Sequence, residues 1–546
     1  MLRAEGAMKL VTVAEMRAIE QASDARGWTY EDMMEAAGTG LARLVANLYG
    51  DLLERSALGL VGAGNNGGDT LVALSWLAEH GWRVTAYLVK PRSGDPLVDR
   101  VRKAGGKVLD RAEDEEGQQL AEAIADHRVL LDGVLGTGVR LPLREPVASF
   151  LARARALVER HQPHVVAVDV PSGVDCDTGA VAEQAIPAEH TVTMAAAKMG
   201  MVQLPALAFL GQLHCVSIGT PPDLPEWQAV HREVVDADRV RALLPPRPAD
   251  AHKGTFGTVM VVAGSMNFTG AALLAGRAAY RVGAGLVTLA VPAPLHTALA
   301  GHFPEATWVL LPHELGVISD AAVDVLRENL GRSRAMVVGP GFGLEDPTAA
   351  FVERFLGHPA KKGAGIGFLQ TSEEPHREPL PWPPLVVDAD GLKLLARVPE
   401  WFRLLPAPAV LTPHPGEMSV LTGLSRQEIQ SDRLGVAEHF AWEWGHVVVL
   451  KGAGTVIAAP DGRTAVVPVA SSALARAGTG DVLAGTIAGL RAQGLAAYEA
   501  ALAGAWLHAQ AGLEAARQWG YTAPVLAGEL VEALGDVQAQ LMQNER

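Results

Sequence analysis

Two glycine-rich loops, far apart in the chain, constrain its fold more than any other feature. The first reads Gly-Ala-Gly-Asn-Asn-Gly-Gly-Asp at residues 62–69, and the second reads Ala-Gly-Thr-Gly-Asp at residues 477–481. Each loop follows apolar sequence, precedes a helical pattern and ends on an aspartate. Glycine-rich turns between a strand and a helix bind ligands in parallel α/β domains. The pattern therefore predicts two such domains, each with its own site.

Apolar segments alternate with helical patterns on both sides of a proline-rich stretch. Before it, we predict helices within 11–49 and at 70–80, 117–127 and 147–160, and strands at 58–61, 83–89, 129–132 and 165–170. After it, we predict strands at 259–263, 286–291, 335–339, 385–388 and 447–450, and helices at 269–282 and 481–493. Such alternation favours a parallel sheet with helices on both faces.

Prolines at 219–226 and 245–248 interrupt both helix and sheet, so they mark a boundary. We therefore predict one domain at 9–222, a linker at 223–246 and a second domain at 247–540. Residues 357–384, rich in Gly, Pro, Lys and Glu, have no periodicity and are predicted to form a surface loop.

Composition excludes several classes of function. The net charge of -15 over 546 residues disfavours a nucleic-acid partner, because phosphate backbones need a basic surface. Two cysteines, Cys176 and Cys215, cannot form a disulfide framework, so we expect buried thiols in a reducing cytoplasm. No apolar run approaches the ~20 residues that cross a bilayer, and the first ten residues lack a signal-peptide core. We expect a soluble homo-oligomer without a membrane partner.

The first loop has the G-x-G-x-x-G spacing of a dinucleotide site at Gly62, Gly64 and Gly67. Val89 and Lys90 stand where such a site needs an acid, so a plain dehydrogenase is disfavoured. We expect the Asn and Gly residues of 65–68 to adopt positive φ around a ligand, which their amides would bind. The alternative is an Asn-rich turn with Asp69 as a helix N-cap.

Two later loops follow other predicted strands of the first domain. They read Asp-Gly-Val-Leu-Gly-Thr-Gly at 132–138 and Asp-Val-Pro-Ser-Gly-Val-Asp at 169–175. Because the carboxyl ends of parallel strands line one crevice, all three loops should converge there. Oxygens of Asn66, Asp132 and Ser172 could then hold a hard cation.

The second loop leaves backbone N–H groups free at a helix N-terminus, where they can bind a phosphoryl group. Asp481 could act there as the base for an attacking alcohol; the alternative is a merely capped helix start. Lys-Gly-Ala-Gly-Thr at 451–455 could hold nucleotide phosphates, and Gly-Pro-Gly-Phe-Gly at 339–343 follows another predicted strand. His414 and Glu417 lie in a proline-rich turn without the spacing of a zinc site, and we expect His414 to bind a ligand.

Residues 9–222 resemble the NAD(P)H-hydrate epimerase family through Gly-Asn-Asn-Gly-Gly-Asp at 64–69, Asp-x3-Gly-Thr-Gly at 132–138, Asp-x-Pro-Ser-Gly at 169–173 and Met-Glu-Ala-Ala-Gly at 34–38, where Ala36 replaces the usual asparagine. The resemblance implies a Rossmann-like three-layer α/β/α domain that interconverts the R and S forms of the hydrated cofactor. It implies K⁺ near Asn66, Asp132 and Ser172, with Asp169 as the proton-transfer group. It also implies that the hydrate contacts Asn65, Asn66, Gly67, Gly68, Asp69, Gly136, Thr137, Gly138, Val139, Arg140, Leu141, Pro142 and Asp169.

Residues 247–495 resemble the ribokinase-like superfamily, and within it the ADP-dependent NAD(P)H-hydrate dehydratases. The matching motifs are His-Lys-Gly-Thr-Phe-Gly at 252–257, Gly-Ser at 264–265 with Thr-Gly-Ala-Ala at 269–272, Asp-Ala-Asp at 388–390, Thr-Pro-His-Pro-Gly-Glu at 412–417 and Gly-Thr-Gly-Asp at 478–481. The resemblance implies a ribokinase-like α/β domain that dehydrates the S form, with ADP converted to AMP and phosphate and Mg²⁺ bound with the nucleotide. It implies Asp481 as base, a hydrate site at Ala271, Gly343, His414 and Asp481, and a nucleotide site at Lys451, Gly452, Ala453, Gly454, Thr455 and Gly480.

The two resemblances together predict one repair enzyme for damaged NAD(P)H. Two alternatives remain at the level of sequence. One is a ribokinase-type kinase of a small molecule with a nucleotide-binding regulatory N-domain. The other is an N-domain without catalytic activity that only binds a nucleotide or a partner.

Overall fold

The computed structural model describes residues 7–357 and 382–543. The chain divides into two compact units between residues 234 and 235, named here unit 1 (Met1–Val234) and unit 2 (Val235–Arg546). The stretch 223–246, predicted as a linker, contains two short helices and a strand. Nearly all of the predicted loop 357–384 lies outside the described residues.

Unit 1 is built on a parallel sheet. Its strands are β1 (Met8–Val11), β2 (Ser56–Val61), β3 (Arg83–Leu88), β4 (Lys107–Asp110), β5 (Val129–Gly133), β6 (His164–Val168), β7 (His190–Met194), β8 (Ala197–Lys198), β9 (Gln212–Val216) and β10 (Arg232–Val234). Its helices are α1 (Val13–Ala25), α2 (Tyr30–Tyr49), α3 (Asn65–Glu79), α4 (Pro96–Lys103), α5 (Gln118–Asp126), α6 (Val147–His161) and α7 (Pro225–Gln228). Seven strands form the sheet in the order β4-β3-β2-β5-β6-β7-β9, and every pair in it is parallel.

Both faces of this sheet are buried under helices. Helices α1 to α4 cover one apolar cluster and helices α5 and α6 cover another. Strands buried on both faces lose the alternating pattern and become continuous apolar runs, as Leu130 and Leu131 of β5 illustrate. Unit 1 is therefore the expected three-layer α/β/α domain.

Helix α3 begins at Asn65, five residues before the predicted start. The prediction was wrong because the pair Gly67-Gly68 was treated as a turn with positive φ, whereas both residues are helical. The glycines are required by close packing instead: a Cβ on Gly67 would lie 2.1 Å from the Gly62 carbonyl oxygen, and one on Gly68 would lie 2.6 Å from the Met34 sulfur. Asp69 is therefore inside the helix, and Gly64 is its N-cap.

Unit 2 has a larger sheet. Its strands are β11 (Thr258–Val262), β12 (Leu286–Pro292), β13 (Thr307–Leu311), β14 (His313–Glu314), β15 (Val317–Ile318), β16 (Ser333–Val338), β17 (Leu385–Val387), β18 (Val410–Leu411), β19 (Val447–Leu450), β20 (Thr455–Ala458) and β21 (Thr464–Val467). Its helices are α8 (Ala237–Leu243), α9 (Gly270–Arg281), α10 (Ala293–Leu299), α11 (Ala322–Asn329), α12 (Asp346–Phe355), α13 (Asp390–Leu395), α14 (Pro415–Thr422), α15 (Arg426–Ser431), α16 (Arg433–Trp444), α17 (Thr479–Ala492), α18 (Ala497–Trp519) and α19 (Ala527–Gln543).

Strands β13-β12-β11-β16-β17-β18-β19 lie side by side in that order and are parallel. Strands β20 and β21 continue the sheet in antiparallel fashion. Helices α9, α17, α18 and α19 pack into the main apolar core. Helix α17 approaches α9 closely, because a Cβ on Gly485 would lie only 2.0 Å from the Ala275 carbonyl oxygen. Within the described ranges, no helix combines the length and the apolar character needed to cross a bilayer.

Candidate active sites of the two units

Unit 1 has a cavity of about 510 Å³ at the carboxyl ends of its central strands. The loops after β2, β5 and β6 converge there as the sequence predicts, and residues from β7 and β8 join them. The lining residues are Met16, Glu20, Gly62, Ala63, Gly64, Asn65, Asn66, Asp69, Val89, Lys90, Val134, Leu135, Gly136, Thr137, Gly138, Val139, Val147, Asp169, Met194 and Lys198. Its size and polar walls suit a small-molecule ligand.

The three predicted cation ligands lie together at the base of these loops. The Asp132 side chain is fully buried and accepts hydrogen bonds from the Ser172 hydroxyl at 2.5 Å and the Ser172 backbone N–H at 2.8 Å. Burial raises the pKa of Asp132, and the hydrogen bonds from Ser172 oppose that shift. The Asn66 amide donates to the Leu135 carbonyl at 2.9 Å, and this orients the side chain. Among the residues that the structure describes, the buried Asn66 Oδ1 finds no hydrogen-bond partner.

Asp169 is held by several donors directly after β6. Its Oδ1 accepts from the Lys198 ammonium, from the Thr193 hydroxyl at 3.0 Å and from the Met194 backbone N–H at 3.0 Å. Its φ of 62° lies in the left-handed region, which is uncommon for an aspartate and is typical of functional sites. The donors and the backbone together fix the orientation of this carboxylate.

Lys198 lines the cavity and was not predicted from the sequence. Its side chain is 1 % exposed. Burial lowers the pKa of Lys198, but the charge of Asp169 and the hydrogen bond to it together contribute more, and the pKa of Lys198 is raised. The available signal was the single charged residue in the apolar run Val-Thr-Met-Ala-Ala-Ala-Lys-Met at 192–199. A lone lysine in such a run needs a buried counter-charge.

Not every predicted contact of unit 1 lines the cavity. Asn65, Asn66, Asp69, Gly136, Thr137, Gly138, Val139 and Asp169 do. The others lie outside the lining set: Gly67 and Gly68 are packing glycines of α3, Asp132 and Ser172 lie beneath the loops, and Arg140, Leu141 and Pro142 follow Val139 along the chain. Glu20 of α1 is a second residue that sequence reasoning missed, since it reads as an ordinary solvent-facing position of an amphipathic helix.

The candidate site of unit 2 centres on a buried lysine among carboxylates. Lys451 Nζ lies 2.6 Å from Asp388 Oδ1 and 3.6 Å from Glu417 Oε2. The same Asp388 oxygen accepts from the Thr412 hydroxyl at 2.7 Å. A Cβ on Gly480 would lie 3.4 Å from both Lys451 Nζ and Asp388 Oδ2, so the start of α17 adjoins this cluster.

Asp481 stands in the first turn of α17, beside the same cluster. Burial, reinforced by the charges of Asp388, Asp390 and Glu417, raises the pKa of Asp481 to about 7, and Lys451 opposes the shift. A carboxyl group with a pKa near neutrality is suited to general base catalysis. Gly478, the N-cap, has a φ of 89°, which a glycine adopts without strain.

His414 is the N-cap of α14. Its Nδ1 accepts from the backbone N–H of Gly416 at 2.9 Å and of Glu417 at 3.1 Å, while the Glu417 carboxylate accepts from the His414 N–H at 2.9 Å. Burial lowers the pKa of His414. The imidazole is thus a neutral ring held by Nδ1, and half of its surface remains exposed for a ligand.

The Lys-Gly-Ala-Gly-Thr loop connects β19 to β20. Arg433, at the start of α16, donates to the Leu450 carbonyl at 2.9 Å and to the Gly454 carbonyl at 3.5 Å. Gly452 has a φ of 152°, and a Cβ there would lie 2.9 Å from the Arg433 guanidinium. Arg433 therefore stabilises the loop through these hydrogen bonds. The Lys451 side chain points away from the loop and into the carboxylate cluster.

Two further predicted contacts belong to the same end of the sheet. The Gly343 backbone N–H donates to the Asp390 carboxylate at 3.0 Å, and Ala271 packs against Gly341 of the same loop. The His-Lys-Gly segment lies elsewhere: a Cβ on Gly285 would clash with the Lys253 carbonyl oxygen, which places the segment at the amino ends of β11 and β12.

Comparisons with known proteins cover both units. Residues 259–534 match a family model described as NAD(P)H-hydrate dehydratase, and residues 30–200 match one described as YjeF-related protein N-terminus. The Bifunctional NAD(P)H-hydrate repair enzyme Nnr of Moorella thermoacetica is 37% identical over 96% of this chain and 96% of its own. The enzyme of the same name from Escherichia coli is 34% identical over 95% of this chain and 91% of its own.

Among solved structures, the ADP/ATP-dependent NAD(P)H-hydrate dehydratase from Bacillus subtilis, co-crystallised with ATP/Mg²⁺, is 30% identical. It covers 56% of this chain and 98% of its own, with a TM-score of 0.45.

The fold and the relatives together define a two-domain α/β enzyme. It has one candidate site at the carboxyl end of each parallel sheet. The chain belongs to the family of bifunctional NAD(P)H-hydrate repair enzymes, with an epimerase unit followed by a ribokinase-like dehydratase unit. The kinase alternative is not favoured, because the relatives that span nearly the whole chain are repair enzymes.

Proposed function

We propose that unit 1 epimerises the R and S forms of NAD(P)H hydrate at the cavity containing Asp169, and that unit 2 dehydrates the S form at the site containing Asp481. Dehydration would use ADP and release AMP and phosphate. The observation that carries the proposal is the chemical difference between the two sites. The site of unit 1 contains Asp169, a carboxylate paired with Lys198. The site of unit 2 contains Asp481, a carboxyl group at a helix N-terminus whose pKa is raised to about 7.

In unit 1, the cavity loops would bind the hydrated nucleotide through Asn65, Asn66, Gly136 to Val139 and the first turn of α3. Backbone N–H groups at that helix N-terminus attract phosphate, and Lys90 adds a positive charge to the wall. Asp169 would face the hydrated ring. Its carboxylate is held in a fixed orientation by Lys198, Thr193 and Met194, and it would stabilise positive charge that develops on the ring nitrogen.

K⁺ fits the residues beneath these loops. The donor set of Asn66, Asp132 and Ser172 offers only oxygens, which hard cations prefer, and the unpaired, buried Asn66 Oδ1 is explained by a cation. A bound K⁺ would supply positive charge close to the nucleotide. Replacing K⁺ with tetramethylammonium should slow epimerisation and leave dehydration of the S form unchanged; equal epimerisation rates in both salts would argue against the site.

In unit 2, Asp481 would take the proton of the ring hydroxyl as that oxygen attacks the transferred phosphoryl group. The backbone of the 451–455 loop and of Gly480 would bind the nucleotide phosphates. Ala271, Gly343 and His414 would contact the hydrate. Lys451 Nζ lies in the carboxylate cluster next to Gly480, and it would bind the nucleotide by neutralising charge on the phosphate oxygens.

Mg²⁺ would bind together with the nucleotide. No group of three or more His, Cys, Asp or Glu side chains is arranged as a metal site within 7–357 and 382–543, so phosphate oxygens would have to complete the coordination. Asp388 and Asp390 offer hard oxygen donors beside Gly480. The ion would neutralise charge on the transferred phosphoryl group.

The test is to incubate the full chain with a mixture of hydrate epimers, with and without ADP, and to follow the absorbance of reduced nicotinamide. With ADP, recovery should be complete and faster than spontaneous epimerisation allows. Without ADP, recovery should be absent while the epimers still interconvert. A stable phosphorylated product, or recovery that stops when the S form is consumed, would overturn the dehydratase or the epimerase assignment respectively.

The compartment and the assembly remain proposals. The chain's two cysteines, Cys176 and Cys215, are not joined in a disulfide, which suits a reducing cytoplasm. A homo-oligomer is expected, and light scattering after size-exclusion chromatography would measure its mass.

A further inference from the structure

Three carboxyl groups of unit 1 face one cavity that has a single buried lysine. Glu20 projects from α1, Asp69 from α3 and Asp169 from the end of β6, and all three line the cavity together with Lys198. Their charges act on one another: Asp169 and Glu20 influence Asp69, and Lys198 and Asp169 influence Glu20. The balance of charge in this pocket decides which groups can carry a proton.

Lys198 neutralises only one of these groups. Its ammonium contacts Asp169, and its other hydrogen bonds reach the Thr193 hydroxyl at 2.9 Å and the Met194 carbonyl at 3.3 Å. Asp69 is 8 % exposed, and burial, followed by the charges of Asp169 and Glu20, raises the pKa of its carboxyl group. A buried carboxylate without a partner is costly. The second and third carboxyl groups of the cavity are therefore the ones that retain protons.

Glu20 differs from Asp69 in its access to solvent. Asp69 is buried within the first turns of α3, whereas Glu20 lies at intermediate exposure on α1. The more exposed Glu20 is therefore better able than Asp69 to exchange its proton with water during turnover. Because two neighbouring carboxylates resist simultaneous ionisation, Asp69 also favours the protonated form of Glu20.

We propose that Glu20 is a catalytic residue of unit 1, the acid that protonates the ring hydroxyl during epimerisation. The inference rests on the proposed epimerase function of this cavity. The Glu20 carboxyl donates its proton to the hydroxyl as the carbon–oxygen bond breaks, and water leaves. The lone pair of the ring nitrogen forms a double bond to that carbon, and the carboxylate of Asp169 stabilises the resulting cation. Water then adds to the opposite face and loses one proton to solvent, and the Glu20 carboxylate regains one proton from solvent, so that no net water, proton or electron is consumed.

The groups facing Glu20 set the direction of the pH dependence. Burial and the charge of Asp169 raise the pKa of Glu20, while Lys198 and Arg17 of its own helix lower it. Asp69 faces it from α3, and Tyr30 lies close enough on α2 for Glu20 to raise the pKa of that phenol. Since the protonated form starts the reaction, the rate falls as pH rises through the raised pKa of Glu20.

The experiment measures interconversion of purified R hydrate by NMR in the absence of ADP, which isolates unit 1. Glu20→Gln should lower the rate by about 10- to 100-fold, the range of a lost acid–base group, and should abolish the fall in rate at high pH. Glu20→Asp should recover part of both. Asp24→Asn, which removes the same charge from an exposed position of the same helix, should match the wild type.

Two results separate the inference from the proposed function. In every variant, ADP-dependent consumption of the S form should equal that of the wild type, which verifies that the protein is folded. A Glu20→Gln rate within threefold of the wild type, or a retained fall at high pH, would overturn the role of Glu20 and leave the epimerase assignment standing. A wild-type rate equal to that of the uncatalysed reaction would overturn the epimerase assignment itself.

Discussion

The substitution Asp481→Asn should abolish dehydration and at the same time stabilise unit 2. Asp481 is placed among Asp388, Asp390 and Glu417, and its pKa is raised from 3.8 to about 7. The folded protein therefore binds a proton there more tightly than the unfolded chain does. Stability contributed by this group is fully present below pH 3.8 and is lost as pH rises through about 7.

The size of both effects follows from that shift. A difference of about 3 pKa units means that the ionised carboxylate destabilises the folded state by about 4 kcal/mol. Asparagine removes the charge, so the variant should gain up to about 4 kcal/mol in its free energy of unfolding above pH 7, and progressively less at lower pH. Dehydration should fall by about 10²- to 10⁴-fold, because the general base is gone.

The assay pairs ADP-dependent absorbance recovery on the S hydrate with urea unfolding between pH 5.5 and 8. In the wild type, kcat/KM should rise about tenfold per pH unit below pH 7 and then level off. Asp346→Asn is the matched control, since Asp346 also occupies the first turn of a helix but is exposed. The reasoning is refuted if Asp481→Asn keeps a tenth of the activity, or if its stability gain does not grow with pH.

Three other substitutions test separate parts of the structure. Asp169→Asn should lower epimerisation by about 10²-fold or more while the S form is still dehydrated; consumption of both epimers at the wild-type rate would contradict its role. Lys198→Met should cost about 3–5 kcal/mol in urea unfolding because it leaves Asp169 buried and unpaired, and adding Asp169→Asn should restore most of that loss. Gly485→Ala should cost about 1–3 kcal/mol through its clash with Ala275, whereas Gly528→Ala, with open space around its Cβ, should be neutral or slightly stabilising in thermal unfolding.

The sequence predicted the architecture well where strands are buried. Every strand predicted from an apolar run is present within two residues, from Ser56–Val61 to Val447–Leu450. It did not predict β7, because His-Thr-Val-Thr-Met alternates polar and apolar residues and reads as a surface segment. Both β7 faces are nevertheless buried, since Thr191 and Thr193 direct their hydroxyls to the Leu210 carbonyl and to Asp169.

The sequence predicted the loops that form the candidate sites better than it predicted the side chains that line them. Loop positions follow from strand order, because glycine-rich turns after parallel strands must gather at one edge. Lys198 and Glu20 come from a short strand and from a helix outside those loops, so no local pattern connected them to the cavity. The direction of the Lys451 side chain depends on Asp388, 63 residues away in the chain, which spacing alone cannot show.

The orientation of Asn66 explains why this position is an amide and not an acid. Its Nδ2 must donate to the Leu135 carbonyl, so Oδ1 is turned the other way with a single lone-pair-bearing atom to offer. An aspartate has the same shape but no donor, and one of its carboxylate oxygens would face that carbonyl. The hydrogen bond from Nδ2 therefore fixes the orientation of the amide. Substitution by aspartate, although it conserves size, would replace a donor with an acceptor, and the loop after β5 would lose the hydrogen bond between Asn66 and the Leu135 carbonyl.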